Sequence, residues 1–217
     1  MKSTQLKPKI LIVHNYYQIP GGEDTVVENE KKMLEDHGHE VIVYSRNNSE
    51  LQKMSKFQKL GLPFSTVFSI RTYREVKRII KQQNIDIVHV HNTLNLISPS
   101  VYYAAFSCKV KVIQTVHNFR LVCPGALLYR DGNICEDCIH KGLRCAIFNN
   151  CYRDSKLQTL ACVITLKTHR FLGTYKNINY ICLTEFNKEK LLEVNRGGKK
   201  IIDPKKVFVK PNFTSLN

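Results

Sequence analysis

The chain has 217 residues, 43% of them hydrophobic and 24% charged. That globular mixture excludes a disordered chain and fits one large domain or two small ones. The 33 Lys+Arg against 18 Asp+Glu give a net charge of +15, which points to a polyanionic partner: nucleic acid, an anionic membrane face or a phosphorylated small molecule. No apolar run reaches the ~18 residues of a membrane span. The polar residues 1–8 carry neither an apolar signal core nor a cleavage site. Secretion is therefore not expected, and the eight cysteines are not read first as disulfides.

Residues 9–14 are a short, nearly continuous apolar run that reads as a buried strand. A polar loop bearing Gly21 and Gly22 follows. Residues 23–37 then have helical spacing, with Val26, Val27, Met33 and Leu34 as core positions and Gly38 placed to end the helix. Residues 40–44 are a second strand. The alternation continues with a helix at 69–83 (Val76, Ile79 and Ile80 on one side), a strand at 85–90, a helix at 99–106 and a strand at 111–116. After a long cysteine-bearing insertion come a helix at 157–172, a strand at 179–183, a helix at 187–194 and a strand at 206–210. Such alternation predicts an α/β fold with a doubly wound, mainly parallel, Rossmann-like sheet covered on both faces. No internal repeat or low-complexity linker interrupts it, so residues 1–217 read as a single domain with an insertion at 119–155.

Ligands of such sheets bind beyond the carboxyl ends of the strands. Four ends stand out: His14-Asn15, His91-Asn92, His117-Asn118 and Thr184-Glu185. Three of them repeat a His-Asn pair, which favours a shared polar cleft over unrelated loop caps. His117 is suited to hydrogen-bond a sugar or phosphate oxygen or to act as a base. His89 and His91 share a strand face. Only His91 reaches the tip, so His91 is expected to face ligand and His89 to be structural. Gly21 and Gly22 let the backbone approach a ligand, and the helix start behind them suits an anion such as a diphosphate. The alternative is a tight turn in which Glu23 and Asp24 favour the helix start. The spacing is neither a dinucleotide fingerprint nor a P-loop.

Cys123, Cys135, Cys138 and Cys151 follow the pattern C-x11-C-x2-C-x12-C, compatible with a structural zinc held by four thiolates. A metal would hold together a loop with little core of its own. Cys145 or His140 is an alternative ligand, and an iron–sulfur cluster, a redox pair or unligated thiols are alternatives to zinc. No catalytic metal is expected. Cys108, Cys162 and Cys182 sit in apolar contexts and read as small core residues. Between Arg46 and Lys81 there are nine basic residues and two acidic ones, Glu50 and Glu75. Residues 51–69 mix Lys53, Lys56 and Lys59 with Phe57, Leu60, Leu62, Phe64 and Phe68. This fits either docking to an anionic membrane surface or a solvated face with its apolar residues in the core. For Lys77 to Lys81 the solvated face is the better reading.

Taken in order, residues 9–14, Gly21-Gly22-Glu23, Gly38-His39-Glu40-Val41, Asp86-Ile87-Val88-His89-Val90-His91-Asn92, Thr115-Val116-His117-Asn118, Leu183-Thr184-Glu185-Phe186 and Val209-Lys210-Pro211-Asn212 resemble family 4 glycosyltransferases of the GT-B type. Cys123-Pro124-Gly125 with the later C-x-x-C resembles a cysteine-bearing subset of that family. The resemblance implies two Rossmann-like domains facing a cleft and transfer of a hexosyl group with retention and no catalytic metal. The N-terminal domain binds a lipid-linked or saccharide acceptor, often at a membrane, and the C-terminal one binds the nucleotide-sugar donor. Gly21-Gly22 would lie near the donor diphosphate and His117 beside the transferred sugar, with Glu23, Asn92, Asn118, Thr184 and Glu185 completing the donor and acceptor wall. On this reading the chain is the acceptor-side domain of an enzyme of cell-surface polysaccharide or glycolipid synthesis. It would be cytoplasmic or peripheral at the inner membrane face, lack the donor-binding domain and be inactive alone. The competing reading is a basic, metal-stapled nucleic-acid-binding module; the absence of Trp and of evident aromatic stacking motifs speaks against it and against a nucleic-acid partner. The family reading requires Gly21, His91 and His117 to gather on one side of the molecule.

Overall fold

Residues 7–19 and 21–213 are described by a computed structural model of the chain. Pro20, residues 214–217 and residues 1–6, most of the polar start read for a signal segment, lie outside the described residues. The sheet is built around β1 (Ile10–Tyr16), whose first four residues are apolar and nearly inaccessible. A strand apolar on both sides must be covered on both faces. Leu11 and Val13 join the larger core, while Ile10 and Ile12 point the other way and pack with Val27 of α1 (Gly22–Asp36). Beyond α1, Gly38 takes φ +80°, the left-handed conformation that ends helices. β2 (Val41–Asn47) pairs in parallel with β1 along its whole length, from Ile10↔Val41 to Tyr16↔Asn47. That pairing carries it beyond the expected residue 44.

The basic stretch folds as α2 (Glu50–Lys53) and α3 (Lys56–Val67). Ser55 caps α3 by accepting a hydrogen bond from the Gln58 N–H at 3.3 Å. α4 (Ile70–Gln83) buries Val76 and Ile80 and closes on Asn84 in the left-handed region. β3 (Ile87–Asn92) lies two residues later than the expected 85–90. The Lys9 N–H donates to the Asp86 carboxylate at 2.8 Å, which sets Ile10 opposite Ile87, and Ile85 packs in the core ahead of the strand. His91 and Asn92 thereby end β3 rather than follow it.

α5 (Ser100–Ser107) and β4 (Lys111–Val116) come next. The insertion holds short pieces: a hairpin of β5 (Tyr129–Arg130) and β6 (Asn133–Ile134), then α6 (Asp137–His140) and α7 (Arg144–Phe148). α8 (Lys156–Phe171), β7 (Asn179–Cys182), α9 (Glu185–Leu192) and β8 (Val207–Val209) complete the chain. The main sheet has the order β2-β1-β3-β4-β7-β8 and is parallel throughout. It is the expected doubly wound Rossmann-like fold. Strand order reverses between β1 and β3, and that switch point is where such sheets open a crevice. Cys162 and Cys182 are buried as expected, and Cys108 is half-buried against the core.

Candidate active site at the carboxyl edge of the sheet

Side chains two apart on a strand share a face. On β1 the face of Ile10 and Ile12 ends in His14, and on β3 the face of Ile87 carries His89 and His91. On β4 the same parity leads through Thr115 to His117. Four histidines therefore converge at the switch point, against α1. The His91 and His117 rings stack with centroids 5.2 Å apart, His89 and His91 lie at 4.5 Å, and His14 meets His91 edge-on at 6.2 Å. His89 Nε2 is 2.8 Å from the Thr115 hydroxyl, so it is spent on cross-strand packing, as expected. His91 Nδ1 and His117 Nε2 are 3.0 Å apart.

Three carboxylates of α1 address these rings. Asp24 accepts from His14 Nε2 at 2.7 Å and from the Gly21 N–H at 2.9 Å. Glu30 is 5% exposed. It faces His91 Nε2 at 3.5 Å and accepts from Lys210 Nζ, just past β8, at 2.9 Å. Glu23 accepts from the Tyr17 hydroxyl at 3.1 Å. Among the described residues His91 Nε2 has no hydrogen-bond partner, and the negative Glu30 carboxylate 3.5 Å away favours a proton on that nitrogen; His91 Nδ1 then accepts from the His117 Nε2–H. His117 Nδ1 then keeps its lone pair. Burial holds His14, His89 and His91 below the usual imidazole range and brings His117 down to about 4. His117 is thus a neutral acceptor at physiological pH. Burial also lifts Glu23 to about 7, so this carboxyl is partly protonated there and able to donate.

Glu30 and Lys210 were not singled out from sequence as site residues. The available signal was a carboxylate three residues beyond Val27, on the apolar side of an amphipathic helix. Nothing local marks Lys210, which is 180 residues away in the chain.

His91, Asn92, His117 and Asn118 line one cleft of about 70 Å³, together with Arg120 and Tyr102. Asn118 Oδ1 accepts from the Arg120 N–H at 3.0 Å and so shapes the turn that presents the Arg120 side chain. Gly21, Gly22 and Glu23 are outside this cleft but joined to it through Asp24, His14 and His91. Gly21, His91 and His117 therefore do gather on one edge. Space is open where a Cβ would stand on Gly21 or Gly22. Both have ordinary backbone angles, so neither needs glycine for its conformation. Thr184 and Glu185 play other parts. Thr184 accepts from the Asn187 N–H at 3.0 Å as the cap of α9, and Glu185 is exposed and 3.5 Å from Lys188. The hydroxyl of Thr184 is committed to starting the helix.

Among the described residues, two groups bring three possible metal-ligating atoms within 4.8 Å of one another: Glu30, His89 and His91, and Glu136, His140 and Glu193. In the first, the Lys210 ammonium already meets the carboxylate. No three of the cysteine sulfurs expected to hold zinc lie that close together. No described helix is long and apolar enough to cross a membrane. Phe57, Leu60 and Phe64 of α3 are 88%, 75% and 79% exposed, so their burial in the core, one of the two sequence readings, does not hold. Arg78 and Lys81 lie on the exposed side of α4, as expected, whereas Lys77 is half-buried and donates to the Tyr73 hydroxyl at 3.1 Å; Arg71 and Arg74 are exposed as well.

The sequence model of Glycosyltransferase Family 4 matches residues 20–135, more than half of the chain. The chain belongs to glycosyltransferase family 4. A relative described as an uncharacterized 42.6 kDa protein in the cps region of Klebsiella pneumoniae is 29% identical over 109 residues, 48% of this chain and 29% of that protein. The S. aureus MnaA-UDP co-structure aligns over 95% of this chain and 44% of its own, at 12% identity and a TM-score of 0.51. That likeness concerns the fold. The family 4 chain thus spans under a third of the curated relative and under half of the solved structure.

Proposed function

We propose that the chain is the acceptor-side lobe of an enzyme transferring a hexosyl group, with retention, from a nucleotide-sugar. The observation that carries this reading is His117. It is a neutral imidazole with an available Nδ1, at the switch point of the sheet, in one cleft with Asn118 and Arg120. That set suits a polar, uncharged group such as a sugar hydroxyl, with a cation beside it for a phosphate. The S. aureus structure with UDP makes uridine nucleotide-sugars the first donors to try, and the cps-region relative favours a polysaccharide product.

The acceptor we propose is a sugar on a lipid carrier, met at an anionic membrane surface. Phe57, Leu60 and Phe64 recur at 57, 60 and 64 on the outside of α3, interleaved with Lys56 and Lys59. Leu157, Leu160 and Ile164 repeat that spacing on α8, which packs against α3. A basic, apolar helix pair of this kind binds anionic interfaces. A groove of about 370 Å³ between α3 and α8 adjoins the histidine cleft, sharing Thr66 and Cys162 with it, which supports an approach to the site from this face.

Saturation-transfer NMR of the chain with short-chain polyprenyl-diphosphate sugars tests this reading. Transfer to sugar protons, lost in His117→Ala, is the expected result; no transfer from any such sugar overturns it. We further propose that these residues do not complete the reaction, since one wall of the cleft has no donor-side partner among the described residues. Turnover of a nucleotide-sugar by this chain would refute that clause.

A further inference from the structure

We infer that Cys123, Cys135, Cys138 and Cys151 hold one zinc ion as a tetrathiolate, and that this centre positions Arg120 at the cleft. The four cysteines come from four small pieces of the insertion: a turn after β4, the end of β6, α6, and the turn after α7. Helices of four and five residues and a hairpin of two-residue strands do not persist unaided. Yet the pieces converge. A Cβ on Gly125 would stand 3.7 Å from Cys123 Sγ, 3.4 Å from Cys151 Cβ and 2.9 Å from Cys151 O. Only glycine lets those two strands of loop close. The Cys123 sulfur lies beside the Cys138 thiol and near the backbone N–H groups of Gly125, Ala126 and Leu128. The Cys135 N–H donates to Leu128 O at 2.8 Å, on the same loop. Backbone N–H groups close to a sulfur are the kind of outer shell that orients a metal-bound thiolate.

Charge agrees. Four thiolates on a dication leave two negative charges, and the Arg130 side chain lies near Cys151 while Arg170 lies near Cys138. A thiol pair alone would account for Cys123 and Cys138 but leave Cys135, Cys151 and the arginine unexplained. His140 is engaged by Glu136 and Arg196, which removes it as a ligand. Cys135 and Cys151 are only half-buried, and one staggered step about χ1 moves a sulfur by roughly 3 Å. Closure on a metal therefore needs side-chain rotation. Arg120 is held on both sides of the centre: its guanidinium donates to Pro124 O at 2.9 Å, next to Cys123, and lies 5.1 Å over the ring of Tyr152, next to Cys151.

Elemental analysis of the chain, purified without chelators, should give about one zinc per chain. Cobalt(II) in its place should show thiolate-to-metal charge-transfer absorption. Cys135→Ser should lose the metal, and Cys145→Ser should keep it. Removing zinc with a chelator should broaden the Arg120 Nε–H resonance. Zinc below roughly 0.2 per chain, iron with inorganic sulfide, or a Cys123–Cys138 disulfide in the intact protein would each overturn the site. These readings need only the unmutated chain, so a misfolded variant does not decide them. An unchanged Arg120 resonance after zinc removal would overturn the positioning role.

Discussion

The histidine cleft and the cysteine insertion meet at Arg120 but are held by opposite means. The cleft is a by-product of the sheet. Parallel pairing sets β1, β3 and β4 side by side, and period-two alternation then delivers His14, His89, His91 and His117 to one face. The insertion has no such frame. Its pieces are two to five residues long, and Tyr129, Ile134 and Phe148 are 58%, 82% and 79% exposed. A site built on strands inherits the stability of the core, whereas a site built on loops must make its own. The largest expected contrast follows. Leu11, wholly buried in β1, should cost about 2–5 kcal/mol on truncation to Ala. Ile134→Ala on β6 should stay within about 0.5 kcal/mol. Urea denaturation of the two variants measures this, and equal losses would erase the distinction.

The next contrast sets a buried ion pair against the insertion's surface pairs. Lys210→Met removes the ammonium 2.9 Å from Glu30 and leaves a carboxylate that is 5% exposed facing imidazoles. The expected loss is about 1–3 kcal/mol. Lys141→Met removes an exposed ammonium from Asp137 and should leave the urea midpoint close to that of the unmutated chain, because solvent screens such a pair. If Lys141→Met proves the costlier change, the insertion carries its stability in salt bridges rather than in sulfur.

What could be read from sequence divides along the same line. The strands were visible because an apolar run such as Ile10 to Val13 has one physical use, and the strand tips gave His91, Asn92, His117 and Asn118 in a common cleft. The end of β3 was misplaced by two residues, because Ile85 is as apolar as Ile87 and only the Asp86 carboxylate, caught by the Lys9 N–H, decides the register. Thr184 looked like a fourth tip, but a threonine before a helix is also the ordinary cap, and the cap won. Glu30 and Lys210 were hidden for a different reason: their pairing is a contact between distant segments, which no local pattern encodes. In α3 the periodicity was legible, but it cannot say which face is covered. Phe57, Leu60 and Phe64 turned out to face solvent.

Acid titration separates the two regions again, with a smaller effect. Unfolded imidazoles take a proton near pH 6.5, while burial keeps His14, His89, His91 and His169 lower and His117 at about 4. The unfolded chain then binds more protons, so stability falls as pH drops from 6.5 towards 4. Glu23 acts the other way. Raised from 4.5 to about 7, it favours the folded chain below 4.5 and withdraws that contribution as pH rises through 7. Five imidazoles outweigh one carboxyl. Glu23→Gln should therefore steepen the acid loss and His117→Gln should soften it, each by less than about one proton in the slope. In the insertion, Lys190 beside Glu136 and Lys141 beside Asp137 hold those carboxyls below their usual range, so their contribution fades only at lower pH. Stability measured by urea at pH 7, 6, 5 and 4 checks the sign; a chain more stable at pH 5 than at pH 7 would contradict it.

The smallest effect on stability is expected where the sequence reading was most divided. Phe57→Ser with Phe64→Ser on α3 removes two rings that are 88% and 79% exposed, so unfolding free energy should move by no more than about 0.5 kcal/mol. Binding to vesicles is a separate quantity. If this face enters an anionic interface, each ring contributes apolar area there that it does not contribute to the fold. The double variant should then pellet several-fold less with vesicles rich in anionic lipid while its urea midpoint stays put. Lys56→Gln with Lys59→Gln should weaken pelleting as well, and added salt should abolish that difference because screening removes the attraction the lysines supply. A double serine variant that unfolds early would mean that these rings pack in the native chain, and one that pellets normally would mean that the membrane meets some other face.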